Sequence, residues 1–112
     1  MSRRVHYAPW FDADLHFRTA WYAEAGGEEL AERFVTAVKT TVSKLSDNPR
    51  LGWRPYPRDS DLDMVYAMLV ERPFRKHILF YRFAEEDLFL ERLIHGARDL
   101  PQRLREPPSE NV

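Results

Sequence analysis

The sequence predicts an α+β fold, with a helical pair early and a mainly antiparallel sheet late, on three observations. Residues 30 to 45 keep a helical repeat on one face, with Leu30, Phe34, Ala37, Val38, Thr41, Val42 and Leu45 at i, i+4, i+7, i+8, i+11, i+12 and i+15. Three apolar runs crowd the last half of the chain: MVYAMLV (64–70), HILFYRF (77–83) and LFLERLIH (88–95). The links between them, ERPFRK and AEED, are too short for a crossover helix and give an antiparallel meander. The order is β-α-α-β-β-β-α, a single domain over 1–106 with a flexible tail at 107–112.

The first strand is RRVHYA (3–8), where Val5 and Tyr7 alternate with His6 until Pro9 stops the ladder. Asp12 is placed to cap a first helix over about Ala13 to Ala25, whose wide stripe of Leu15, Phe17, Trp21 and Tyr22 asks for cover on more than one side. Gly26 and Gly27 end it. Glu28 and Glu29 suit the N-terminal dipole of the second helix, and Asn48-Pro49 closes it. The Pro-, Gly- and Asp-rich LGWRPYPRDSDLD is a connection whose Trp53 and Tyr56 pack down. Trp10, Trp21 and Trp53 are assigned to the core and its edges. After the last strand, Gly96 permits a turn, and Asp99 is the expected cap of a short helix with Pro101 in its first turn.

Composition bounds the function. With no cysteine there is no disulfide, no thiol nucleophile and no thiolate metal site, which fits a reducing cytoplasm. His6, His16, His77 and His95 lack the spacing of a metal site, so no metal and no cofactor is expected. The start MSRRVHYAPW has no apolar signal core, and no run approaches the ~18 apolar residues of a membrane span. A net charge of −1 argues against a general grip on nucleic acid. From Arg50 onward there are 11 cations, ten of them arginine, a residue suited to planar contacts with carboxylate or phosphate.

Strand HILFYRF is apolar on both faces: His77, Leu79, Tyr81 and Phe83 on one, Ile78, Phe80 and Arg82 on the other. A sheet covered by helices on one side alone should turn polar on its second side. If Glu85-Glu86 is a two-residue loop, Phe83 opposes Leu88 and the second face continues through Phe89, Glu91, Leu93 and His95. The expected cover is another polypeptide, bound over Ile78, Phe80, Arg82, Phe89, Glu91 and Leu93.

Four segments in this order resemble the RelE/ParE superfamily of bacterial type II toxin-antitoxin systems, on its ParE side: ADLHFRTAWY, LAERFVTAVKTTVSKLSDNPRLGWRP, HILFYRF and LERLIHGARDLPQRL, the last holding His95, Gly96, Arg98 and Asp99. The resemblance implies a plasmid-stabilisation type toxin, cytoplasmic, in a hetero-oligomeric complex with a cognate antitoxin, and poisoning DNA gyrase without a catalytic centre. An alternative is a RelE-like endonuclease that cuts messenger RNA on the ribosome, with Arg98, His95 and Arg82 as its set. A second alternative is an inactive remnant that keeps only antitoxin binding.

Arg75, Lys76, His77, Tyr81 and Arg82 on FRKHILFYRF invite the nuclease reading, because cations, an imidazole and a phenol can hold a phosphate and move protons. RelE-like nucleases carry basic residues on the strand before this one, an arginine within it, an arginine after the following glycine and a C-terminal tyrosine. Here MVYAMLV has no cation, Ile78 stands at the strand arginine, Arg98 matches the arginine after glycine, and Leu104 stands near the tyrosine. One part of four is present, so no catalytic residue is assigned.

Overall fold

Pro9 has no amide proton to give a sheet, and it decides where the first strand stops. In the computed structural model, which describes residues 2–96 and 99–108, β1 spans Arg4–Tyr7, and the Ala8 amide makes a last bond to the Leu90 carbonyl at 3.0 Å. Helix α1 (Pro9–Asp47) begins at once. Its N-cap position is Ala8, without a side-chain cap, and Asp12 lies in the first turn rather than capping it. Proline at the first helical position supplies a helical φ and has no orphan amide, so the helix starts four residues ahead of the expected Ala13.

Gly27, at φ 86° and ψ 174°, breaks α1 into arms 9–26 and 28–47. In a straight helix Tyr22 and Phe34 would be roughly 18 Å apart. Their ring centroids are 4.9 Å apart, so the arms fold back on each other as the expected hairpin. Asn48 ends the second arm, donating its amide to the Lys44 carbonyl at 2.9 Å, and its side chain accepts from the Arg50 amide of a 3-10 turn at Pro49–Leu51.

Strands β2 (Tyr66–Leu69), β3 (His77–Phe83) and β4 (Asp87–His95) complete a mixed sheet in the order β1-β4-β3-β2. Strand β3 is antiparallel to both neighbours, and β1 is parallel to β4. Phe83 faces Leu88 across the Glu85-Glu86 loop, the expected register. Both arms of α1 pack on one face, where Phe11, Phe34, Val38, Val42 and Leu45 meet Leu79, Tyr81, Leu88, Leu90 and Leu93. Complete burial of one such Phe or Leu contributes about 1.5–3 kcal/mol.

The second face is largely roofed by the chain itself, which corrects the expected foreign cover at Ile78 and Phe80. Leu62 and Val65 of the 52–65 connection, Tyr56, and Leu100 and Leu104 of α2 (Leu100–Arg105) close over Ile78, Phe80 and Ile94. Leu93 is corrected too. The register shifts between Phe80 and Tyr81: Phe80 faces Arg92 while Tyr81 faces Leu90, leaving Glu91 unopposed. A bulge of this kind reverses side-chain parity along the strand. Leu93 and His95 therefore point with Leu88 and Leu90 toward the helices, and Arg92 and Ile94 take the second face.

Arg92 is buried there, and its partners are drawn from two other elements. Nε and Nη2 donate to both carboxylate oxygens of Asp14 at 2.8 and 3.1 Å, while Nη1 donates to carbonyls of Arg103 and Glu106 at 2.8 and 2.6 Å. Asp14 also accepts the Leu93 amide at 2.9 Å, standing in for β1 where that strand has ended. Trp10 covers the Arg92 guanidinium at 5.3 Å. The tryptophans are less buried than expected: Trp10, Trp21 and Trp53 are 42, 51 and 46% exposed. Asp99 occupies the N-cap position of α2 in a left-handed conformation but makes no side-chain cap, and Gly96 turns at φ 93°.

Two stability outcomes follow from this frame. Gly27→Ala forces a side chain into a glycine-only backbone region and is expected to lose about 1–3 kcal/mol in urea unfolding. Asp14→Ala strands the buried Arg92 charge and is expected to lose about 3–5 kcal/mol. Pairing it with Arg92→Met should recover part of that loss; a double variant as unstable as the summed singles would show no coupling between the two.

Candidate functional site

The surface the roof leaves open is centred on Arg82 and Glu91. Their side chains pair at 3.1 Å, both more than a third exposed, and Arg82 Nη2 also donates to the Asp61 carbonyl at 3.1 Å. Glu91 has no partner residue in the β3–β4 ladder, and its carboxylate lies beside Arg82 on the outer face.

A cleft opens on each side of the pair. One, of about 430 Å³, is walled by Trp10, Leu62, Val65, Phe80 and Leu104, and its apolar floor lies between the sheet and the roof. The other, of about 660 Å³, is lined by Met64, Tyr66, Phe83 and Phe89, with Arg3 and Arg50 at its rim. Both of those guanidinium groups stand over the Phe83 ring, at 5.8 and 5.5 Å, an arrangement that favours a cation above an aromatic face. Met64 is 56% and Phe89 37% exposed, so this cleft presents large apolar side chains to solvent under a cationic rim.

Phe89 is held from behind. His6 stacks on it at 4.9 Å, and His6 Nε2 lies 2.8 Å from the Asp87 carboxylate. That hydrogen bond, joined by Arg4 at 3.2 Å, holds the Asp87 carboxyl below the usual carboxylate range. Such a surface can bind an apolar segment flanked by acidic groups. Of the six residues expected on the partner-binding face, Arg82, Phe89 and Glu91 are at this surface and Phe80 floors one cleft, whereas Ile78 is under the roof and Leu93 faces the helices.

The cations and rings of FRKHILFYRF do not form one surface. Arg75 and Lys76 are exposed in the turn before β3. His77 is buried on the helix side, where its Nε2 meets the Tyr22 hydroxyl at 2.7 Å and its ring lies 4.8 Å from that of His95. Burial first, then the neighbouring His95 and Arg18, push its pKa down to about 3, so it is neutral near pH 7. Tyr81 is a staple: its hydroxyl donates to the Pro49 carbonyl at 2.5 Å and accepts from the Gly52 amide at 3.2 Å. Burial pushes its pKa up to about 12.

The nuclease set is likewise dispersed. His95 pairs with His77 on the helix side, whereas Arg82 lies five residues further along β3 on the other face, roughly 17 Å away at strand spacing. Arg98 lies outside the described residues. Residues that sequence reasoning missed are Asp14, Arg18 and Arg92. Arg92 had a signal, as a lone cation in the apolar run LERLIH, but the bulge that turns it inward had none.

Residues 5–100 match a family described as the ParE toxin of type II toxin-antitoxin system, parDE. Among solved structures, a chromosomal ParDE toxin-antitoxin system from P. aeruginosa contains a similar chain. The TM-score is 0.68 at 17% sequence identity, covering 86% of this chain and 98% of that one, a likeness of fold. No curated protein matches at a significant level.

The buried His77 makes stability depend on acid. Its folded pKa lies below the ordinary value of 6.5, so the unfolded chain takes up a proton that the folded one refuses, and stability present above pH 6.5 is lost as pH falls toward 3. Between pH 6.5 and 5 the wild type is expected to lose ~2 kcal/mol more than His77→Gln. Urea midpoints at the two pH values check this; equal losses would show that His77 takes a proton in the fold.

Proposed function

The chain belongs to the ParE toxin family of type II toxin-antitoxin systems, and on that footing we propose that it is the toxin of such a module, kept inactive by a cognate antitoxin and acting, once free, as a binding inhibitor of DNA gyrase. The observation that carries the antitoxin half is the pair of apolar clefts around Arg82 and Glu91, with Met64 and Phe89 exposed and Arg3 and Arg50 at the rim. A segment with an apolar anchor and acidic flanks suits both the greasy floor and the cationic margin. The gyrase half rests on the family. It is consistent with Ile78 standing where RelE-like nucleases have an arginine and lying under the roof, and with a neutral His77 turned away from any substrate surface.

Inhibition by binding requires no proton transfer. It requires a stable scaffold, a surface that fits a conformation of the target, and an antitoxin that competes for that surface or distorts it. The Arg82–Glu91 pair gives the surface direction, because a partner that displaces Glu91 must satisfy Arg82 with its own acceptor.

Expression without the antitoxin is expected to halt growth and to trap gyrase on cleaved DNA, detectable by extracting covalent protein–DNA complexes. Arrest with no such complexes and with cleaved ribosome-bound message would overturn the gyrase reading in favour of the endonuclease; unchanged growth would leave an antitoxin-binding remnant. For the antitoxin surface, Phe89→Glu is expected to weaken association by about 1–3 kcal/mol without changing the thermal midpoint. Unchanged affinity would remove this cleft from the interface.

A further inference from the structure

Across Arg92 from the first cleft, Arg18 is a buried cation with no acidic partner among the described residues. Its residue is 6% exposed, and its Nη2 makes no hydrogen bond. The Trp21 ring lies at 5.2 Å from the guanidinium carbon, so one face is covered by an aromatic group and not by a carboxylate. Arg18 lines a small pocket of about 60 Å³ between the first arm of α1, the end of β4 and α2, together with Arg92, His95, Arg103 and the acids Asp14 and Glu106.

The neighbouring groups are already engaged. Asp14 gives its oxygens to Arg92 and to the Leu93 amide, and Glu106 accepts from Gln102 at 2.9 Å. Arg92 is saturated by Asp14 and the α2 carbonyls, and Arg103 donates to the His95 carbonyl at 2.7 Å. Arg18 therefore faces this space with its Nη2 unpaired and with Arg103 and His95 beside it. The electrostatics agree: burial lowers the Arg18 pKa, with Tyr22 raising it and Arg103 lowering it to lesser degrees, and His95 is pushed down by burial and then by Arg18, Lys76 and Arg103. A buried guanidinium ordinarily has an anion.

We propose that this pocket is an oxyanion-binding site, taking a single carboxylate or phosphate group on Arg18, with Arg103 and His95 as its other walls. Size selects the ligand class. A water occupies roughly 10–15 Å³ on this measure, so the pocket holds one small oxyanion and not a nucleoside or a sugar. The planar fork of arginine matches two oxygens of either group. The site does not rest on the gyrase and antitoxin readings: it is built from the first arm of α1, the end of β4 and α2, holds neither Arg82 nor Phe89, and shares only Arg92 with the 430 Å³ cleft.

The experiment is a titration of the whole protein followed by NMR at the Arg18 side-chain N–H and the His95 ring, with sodium phosphate in one arm, sodium acetate in a second and sodium chloride at matched ionic strength in a third. Saturable shifts at both residues in the phosphate or acetate arm and none in chloride are expected, and the responding arm identifies the oxyanion. Arg18→Met should weaken that binding by roughly tenfold or more, while the exposed Arg58→Met leaves it unchanged. If Arg18→Met fails to fold, Arg18→Lys keeps the charge, loses the fork and is expected to bind more weakly. Wild-type protein with no saturable response to either oxyanion, or a response equal to that in chloride, overturns the proposal, as does binding unaltered in a folded Arg18 variant.

Discussion

Arg92 is a charge taken out of water on an apolar sheet face, and the arrangement around it is the condition for the rest of the fold. Its guanidinium holds Asp14 in the first arm of α1 and the carbonyls at the end of α2, so one side chain joins the helical hairpin, the longest strand and the C-terminal roof. Asp14 completes the join by accepting the Leu93 amide where β1 has run out. An ion pair so deeply buried contributes little net stability compared with apolar side chains of the same volume, but losing one partner is severe. What the pair supplies is placement. It fixes where α1 leaves the edge of β4 and where α2 comes to rest over Phe80 and Ile94.

The bulge opposite Phe80 and Tyr81 makes that arrangement possible. Strict alternation would have sent Arg92 into the helix-side core and Leu93 to the outer face, one an unpaired charge in an apolar layer and the other a wasted apolar side chain. One extra residue exchanges their faces, while Glu91, on the outer face in either register, pairs with Arg82. A single irregularity thus settles the core and the roof. The acid that lines the 430 Å³ cleft is the residue that the ladder omits.

The elements were legible because each carried a local signal. The repeat from Leu30 to Leu45, Gly26-Gly27 and Asn48-Pro49 mark their own boundaries, each of the three apolar runs holds a strand although β2 keeps only Tyr66–Leu69 of 64–70, and the Phe83–Leu88 register followed from a two-residue loop. What could not be read was decided by distant parts of the chain. No periodicity announces a bulge, so Leu93 was assigned to the wrong face. Apolar residues on both sides of β3 did signal a second cover, but composition does not say whose. The connection around Leu62 and Val65 has the Pro and Asp content of a surface loop, yet two apolar side chains in it suffice to close over Ile78 and Phe80. Of the candidate site, Arg82, Phe89 and Glu91 were legible as exposed positions of an apolar face; Met64, Arg3 and Arg50 were not, since they reach the cleft from other segments.

Self-roofing changes what a partner can recognise. Were the second face bare, a partner would meet a flat sheet, and register along the strands would be its only source of specificity. Here the roof stops short at Leu62 and Val65, and the two clefts fall on either side of Arg82, the first walled by sheet and roof, the second by the sheet with Met64, Arg3 and Arg50. A segment seated there touches Trp10 at the start of α1, Leu104 of α2 and Phe80 of β3 at once, so its fit depends on the same packing that Arg92 holds together. Binding in such a site reports on the tertiary arrangement and not on one strand. A segment that pulls Leu62 and Val65 away from Phe80 would disturb the scaffold as well as cover it, which would give a bound partner two physical routes to block the same surface.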